Sequence, residues 1–245
     1  MGSENNCRRK RGPAACCDPR PVATKMSGPP PMQTPLLNNH HWRWLIVAVG
    51  CVPIVTVNMN FLLSAAARLI PDCFVYIDGC TSISATGRYG VSYYLFKAFM
   101  LPQAILLVVF WRNLNARLLA TDGHNVMLSA GITGALFLVL YTIFLGSDGD
   151  LYRMLRRYGV FVFFLGTLIA QIAATRRLAK HGLTASVRAQ WFLLILMGCL
   201  ALAEVPLGSF GVQDNRAENL IEWNFSLLMQ LWFVTWLFVR RAPSR

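Results

Sequence analysis

Six stretches of this chain, near residues 44–66, 92–111, 126–146, 158–174, 189–209 and 222–239, run almost without charge. Each approaches the roughly 20 residues that a hydrocarbon core of about 30 Å demands of a helix. The fourth is the shortest. With 55% hydrophobic and only 14% charged residues, an ordinary soluble domain is excluded. Lipid offers the backbone no hydrogen-bond partners, so each run must satisfy its own amides as a helix. The expected fold class is all-α, a polytopic membrane protein with six transmembrane helices in one bundle over residues 44–240.

The basic residues set the orientation, because Lys and Arg in short loops stay on the cytoplasmic side. With the N-terminus inside, 16 of the 23 basic residues fall on that side. Arg68, Arg88, Arg153, Arg156, Arg157 and Arg216 fall outside among acidic residues, and Lys97 lies within the second span. Both termini are therefore expected to be cytoplasmic. The formal charge of +12 reads as a topology signal with some attraction to anionic lipid, and not as nucleic-acid binding. Residues 1–43 carry Arg8-Arg9-Lys10-Arg11 and Pro29-Pro30-Pro31 but no apolar run, and read as a disordered basic cytoplasmic tail. Residues 241–245 form a second, short tail. Gly2 invites a myristoylation reading, but Asn6 stands where that pattern has Ser or Thr. His40, His41, Trp42 and Trp44 mark the membrane interface ahead of the first span.

Against this apolar background, the segment from Asp78 to Arg88 (Asp-Gly-Cys-Thr-Ser-Ile-Ser-Ala-Thr-Gly-Arg) is polar and bracketed by glycines. It lies in the first outer loop. Cys73 and Cys80 share that loop, where an oxidising compartment permits a bond between them. Two reduced cysteines packed at helix ends are the alternative, since spacing alone does not establish bridge geometry.

Polar groups within the spans concentrate in the outer half. Lys97 on the second helix and Glu204 on the fifth lie at a similar depth, with Asn58 and Asn60 on the first. Glu222 and Asn224 open the sixth helix. Glu222, Ser226 and Gln230 recur at i, i+4 and i+8 and so share one helix face, expected to point inward. Asn58 and Asn60, two apart, cannot both face one cavity. An ionisable residue at this depth usually faces the bundle interior, as a buried ion pair between Lys97 and Glu204 or Glu222 or as part of a wet site. Gln171, near an inner helix end, reads as interfacial. Ala130 with Gly134, and Gly166 with Ala170 and Ala174, read as close helix-packing positions.

No metal and no cofactor are expected. His40, His41, His124 and His181 all lie outside the spans, which leaves no histidine ligand at depth for haem or a metal hydrolase. The chain also has no P-loop, no Gly-x-Ser-x-Gly and no His-Glu-x-x-His.

Taken in order, three features resemble the Frag/DRAM/Sfk family of six-span membrane proteins, whose eukaryotic members include autophagy modulators and GPI-anchor remodelling factors. They are Ser82-Ile-Ser-Ala-Thr-Gly87 in the first outer loop, the run from Ser147 to Phe164 entering the fourth span, and Glu222-Trp223 opening the sixth. The chain departs from the family in having no proline after Gly87, and in carrying Arg156 and Arg157 where the family commonly has a histidine. Arginine does not deprotonate in practice, so a proton-transfer role there is removed while anion binding survives.

The resemblance implies work on membrane lipids, and an outer-side polar site follows as an expectation. Thr81, Ser82, Ser84 and Thr86 would form its rim, Arg88 with Arg156 or Arg157 would hold a headgroup phosphate, and Lys97, Glu204 and Glu222 would form its floor. The alternative is an ordinary capped turn whose hydroxyls satisfy local backbone groups. Lipid handling or membrane organisation is the leading function. A lipid-modifying enzyme comes second, with Ser82 or Ser84 activated by Glu222 or Asp78, and a transporter or channel last. A bacterial inner membrane and a eukaryotic endomembrane both fit.

Overall fold

The computed structural model describes residues 40–118, 125–147, 149–180, 184–209 and 215–239, with backbone alone for residues 184, 204–209 and 215. The N-terminal tail through residue 39 and the last six residues lie outside the described set. In chain order the helices are α1 (His40–Ala66), the short α2 (Val75–Asp78) and α3 (Ile83–Thr86), α4 (Gly90–Arg117), α5 (Val126–Phe144), α6 (Asp150–Ala179), α7 (Thr184–Ser209) and α8 (Asn215–Thr235), followed by a 3₁₀ turn at Trp236–Phe238. No strand occurs among the described residues.

Five helices are long and apolar enough to cross a membrane: α1, α4, α5, α6 and the Ala185–Ala203 part of α7. Large apolar side chains such as Val55, Leu62, Ile105, Leu136, Phe192 and Ile195 stand exposed on their outer faces. Such a surface suits lipid and not water. The polar first turns of α8, with Arg216, Glu218, Asn219, Glu222 and Asn224, keep that helix below the apolar standard the other five meet.

The fourth long helix, expected to be the shortest, is the longest at 30 residues. Its start is charged, which hides it from a hydropathy reading, yet the charges are accommodated. Arg157 is exposed, and Arg156 Nη1 donates to the carbonyls of Phe144 at 3.4 Å and Ser147 at 2.6 Å. Those carbonyls lie at the C-terminal end of α5, where a cation is favoured.

The long helices form a ring in which α1 touches α4 and α8, α4 touches α5, α5 touches α6, and α7 joins α6 to α8. Small residues bring α5 and α6 together. A Cβ on Gly166 would lie 2.9 Å from the Ala130 carbonyl, and one on Gly134 would lie 3.0 Å from Thr167 Oγ1, so these backbones nearly touch. At the end where α1 begins and α8 finishes, Trp42 stacks on Phe110 at 5.3 Å, Phe110 meets Phe233 edge-on at 5.0 Å, and Trp111 lies 6.1 Å from Trp232. This aromatic plug closes that end of the bundle. The loop between α1 and α4 covers the other.

Candidate functional site

The loop is short, cross-linked and fastened to the helices beneath it. Cys73 and Cys80 form a disulfide with their Cα atoms 6.5 Å apart. The Asp78 carboxylate accepts from the Phe74 N–H at 2.9 Å, capping α2. Gly79 follows in the left-handed region at φ +57° and lies so close to α8 that a Cβ would strike the Arg216 carbonyl. Glycine is required there on both grounds.

Side chains of α8 then bind the loop backbone in succession. Asn219 Nδ2 donates to the Gly79 carbonyl at 2.9 Å, Trp223 Nε1 to the Thr81 carbonyl at 2.8 Å, and Asn224 Nδ2 to the Tyr76 carbonyl at 2.9 Å. Glu222 Oε2 accepts from the Ile83 N–H at 3.2 Å. From α1, Ser64 Oγ donates to the Thr86 carbonyl at 2.7 Å, and Asn58 Nδ2 donates to the Tyr76 hydroxyl at 2.9 Å. Loop backbone groups that would otherwise stay unpaired near the apolar layer are thereby satisfied.

Beneath this lid lies a cavity in which the centre of a water-sized sphere can move over about 40 Å³. Its walls come from α1, α3, α4, α5, α6 and α8. Most of the wall is apolar: Val57, Leu107, Leu138 and Phe163 are typical. The polar members are Gln103, Tyr141, Glu222, Ser226 and Gln230. A mostly apolar concavity with a few convergent polar groups is the usual form of a small-ligand site. The aromatic plug begins one helical turn farther along α4 and α8, at Phe110 and Phe233.

Gln103 is placed by a proline on another helix. Pro53 has no N–H, so the carbonyl four residues back, that of Val49, loses its helical donor. Gln103 Nε2 supplies one, at 2.9 Å. This bond fixes the orientation of the carboxamide and leaves its Oε1 as the other polar atom. The Tyr141 hydroxyl lies within electrostatic reach of Glu222, Arg88 and Arg156.

The structure brings some of the expected site residues together and separates others. Glu222, Ser226 and Gln230 share one face and line the cavity as their spacing predicts. Of the four residues of the expected rim, Thr81 and Thr86 are buried and Ser82 and Ser84 are half-buried. Thr86 is buried with its hydroxyl donating to the Ile83 carbonyl at 2.7 Å, and Thr81 is buried with its carbonyl bound by Trp223. Ser82 caps α3 by accepting from the Ala85 N–H at 3.2 Å, shares a hydrogen bond with Ser84 at 3.2 Å, and neither serine is bonded to a carboxylate among the described residues. The Ser82 and Thr86 hydroxyls serve the local backbone, as in an ordinary capped turn. Arg88 Nη2 donates to Ser84 Oγ at 3.3 Å, and its Nε is buried.

Arg156 reaches the end of α5, whereas Arg157, 100° farther round the helix, is exposed on another face. The expected floor changes as well. Lys97 donates to the Ile143 carbonyl at 3.0 Å and to the Tyr93 hydroxyl, with its ammonium 4.1 Å from that ring's centroid. It thus serves the last turn of α5 instead of pairing with Glu222. The Glu204 side chain lies outside the described residues. Asn58 anchors the lid through Tyr76 and is no part of the cavity wall, and Asn60 is fully buried elsewhere. Gln171 is not interfacial: it is wholly buried, with Nε2 donating to the Met229 carbonyl at 3.0 Å. It borders a second polar cluster, in which Thr175 Oγ1 donates to Gln190 at 3.1 Å and Gln190 donates to Thr235 at 3.0 Å.

Gln103 and Tyr141 were not singled out from the sequence, and Trp223 entered only through the Glu222-Trp223 pair of the family resemblance. Gln103 carried a signal, a lone amide beside Pro102 in the middle of an apolar run. Tyr141 carried none, because an aromatic residue near a helix end is an ordinary interfacial feature. Among the described residues no cluster of His, Cys, Asp or Glu has the form of a metal site. The chain matches no protein-family model, no curated protein and no solved structure.

Proposed function

We propose that this chain is a six-span integral membrane protein of the Frag/DRAM/Sfk type, with both termini cytoplasmic, that holds lipid in the cavity beneath its outer loop. The observation that carries this reading is the combination of an apolar cavity with the polar α8 face of Glu222, Ser226 and Gln230, under a lid fastened to the same helix. Helix α8 acts as the sixth span in this reading. Asn219, Glu222 and Asn224 bind the lid and Ser226 and Gln230 line the cavity, which is how a span carries such residues without exposing them to hydrocarbon. The distribution of basic residues supports the orientation. Lipid handling is favoured over lipid modification because, among the described residues, no carboxylate or histidine is bonded to Ser82 or Ser84 to act as base.

Lipidomics of the full-length protein purified in detergent tests the reading, set beside a cavity-filling Ser226→Phe variant. One lipid class should be enriched over the bulk membrane in the wild type, and the enrichment should fall at least about fivefold in the variant while the protein stays monodisperse. Equal profiles for wild type, variant and bulk membrane would refute lipid handling at this cavity.

A further inference from the structure

Three residues that line this one cavity, from three different helices, each carry a buried polar atom: Gln103 Oε1 on α4, the Tyr141 hydroxyl on α5 and Gln230 Oε1 on α8. These residues are 1%, 4% and 4% exposed. None of the three atoms has a hydrogen-bond partner among the described residues. A single buried acceptor left unmatched is unfavourable, and native structures keep few of them. Two acceptors and one phenol hydroxyl around a shared space amount to a demand for a group there that both donates and accepts. We propose that the cavity takes the hydroxyl end of a neutral single-chain amphiphile, such as a long-chain alcohol or a monoacylglycerol, with Gln103, Tyr141 and Gln230 as its recognition groups. The proposal rests on the lipid-handling reading and specifies its ligand.

The chemistry selects against the common charged headgroups. Two of the three groups are amide carbonyl oxygens, which only accept. The Gln103 carboxamide is held in that sense because its nitrogen already serves Val49. A phosphate or carboxylate would bring oxygen lone pairs against these acceptors. An ammonium would meet Glu222 on the cavity wall but also the field of Arg88 and Arg156, all three acting on the Tyr141 hydroxyl, and its charge would have to be desolvated among apolar walls. A hydroxyl donates to one carbonyl, accepts from the phenol and carries no charge to be desolvated. Narrowness selects the remainder of the molecule, since only about 40 Å³ of the space admits a water centre. That space is enough for the hydroxyl end and first carbons of a single chain, and too small for a fused ring system.

The test uses full-length protein in amine-oxide micelles, whose detergent has no hydroxyl, and four probes of equal chain length: oleyl alcohol, oleic acid, oleylamine and 1-octadecene. Retention is read by native mass spectrometry. The alcohol should be retained at least about tenfold better than each of the other three. Gln230→Leu should reduce alcohol retention about tenfold and leave octadecene retention unchanged. Gln103→Leu should do the same where it folds; it also removes the donor to Val49, so Gln230→Leu stands as the variant that decides. Equal retention of alcohol and octadecene would mean that water alone serves these acceptors, and would overturn the proposal, as would a preference for the acid or the amine. Co-purifying lipid without alcohol preference would overturn this inference alone, whereas no retained probe and no co-purifying lipid would overturn the lipid-handling reading itself.

Discussion

Replacing Gly79 by alanine tests how closely the disulfide loop is seated on α8. At φ +57° the backbone is in the left-handed region, where a residue with a Cβ is disfavoured by about 1–2 kcal/mol. The new Cβ would also strike the Arg216 carbonyl and lie 3.1 Å from the Leu220 nitrogen. The loop must then withdraw from α8. That movement removes the 2.9 Å hydrogen bond from Asn219 to the Gly79 carbonyl, about 1 kcal/mol, and adds overpacking strain of about 1 kcal/mol or more. Gly90 supplies the control, because it has nearly the same dihedral, φ +60°, with nothing within 4 Å of its Cβ position. Gly90→Ala should therefore lose only the backbone contribution. The difference between the two variants, about 2 kcal/mol, corresponds to roughly 30-fold faster local opening in Gly79→Ala. Amide hydrogen exchange of peptides covering residues 73–88, measured on the full chain in detergent, reads it directly. Equal exchange in the two variants, or faster exchange in Gly90→Ala, would refute the close approach of loop and helix.

Two further perturbations probe the same end of the bundle. Cys73→Ser with Cys80→Ser opens a link across a sequence separation of 7, and in the chain-entropy account should destabilise the loop by about 2.4 kcal/mol; reductant should lower the thermal stability of the wild type and leave the double variant unaffected. Lys97→Met and Glu222→Gln should each destabilise the protein, by about 1–2 kcal/mol, and their effects in detergent unfolding should add to within about 0.5 kcal/mol, because Lys97 serves the Ile143 carbonyl. A larger coupling would restore the ion pair.

The long helices were legible because hydrophobic length is a direct requirement of the membrane, and the α8 face was legible because Glu222, Ser226 and Gln230 repeat every four residues. The start of α6 was not, since Arg153, Arg156 and Arg157 resemble a loop until the end of α5 is found beside them. The role of Gln103 depends on Pro53, a residue 50 positions earlier, and on a carbonyl that only the folded bundle exposes. Polarity alone therefore separated wall from anchor poorly: Asn58, Lys97 and Glu222 looked alike in the spans, yet Asn58 and Lys97 are tied to Tyr76 and the end of α5, and only Glu222 borders the cavity.

The bonds that fasten the lid to α8 join residues 139 to 148 positions apart in the chain. A ribosome adding about 5–20 residues per second needs roughly 7 to 28 s to cover that distance. For that interval the segment around Gly79 is already synthesised while its partners on α8 do not yet exist. The lid is consequently completed late although it is encoded near the beginning, and during those seconds Cys73 and Cys80 are open to whatever oxidant or thiol the compartment presents.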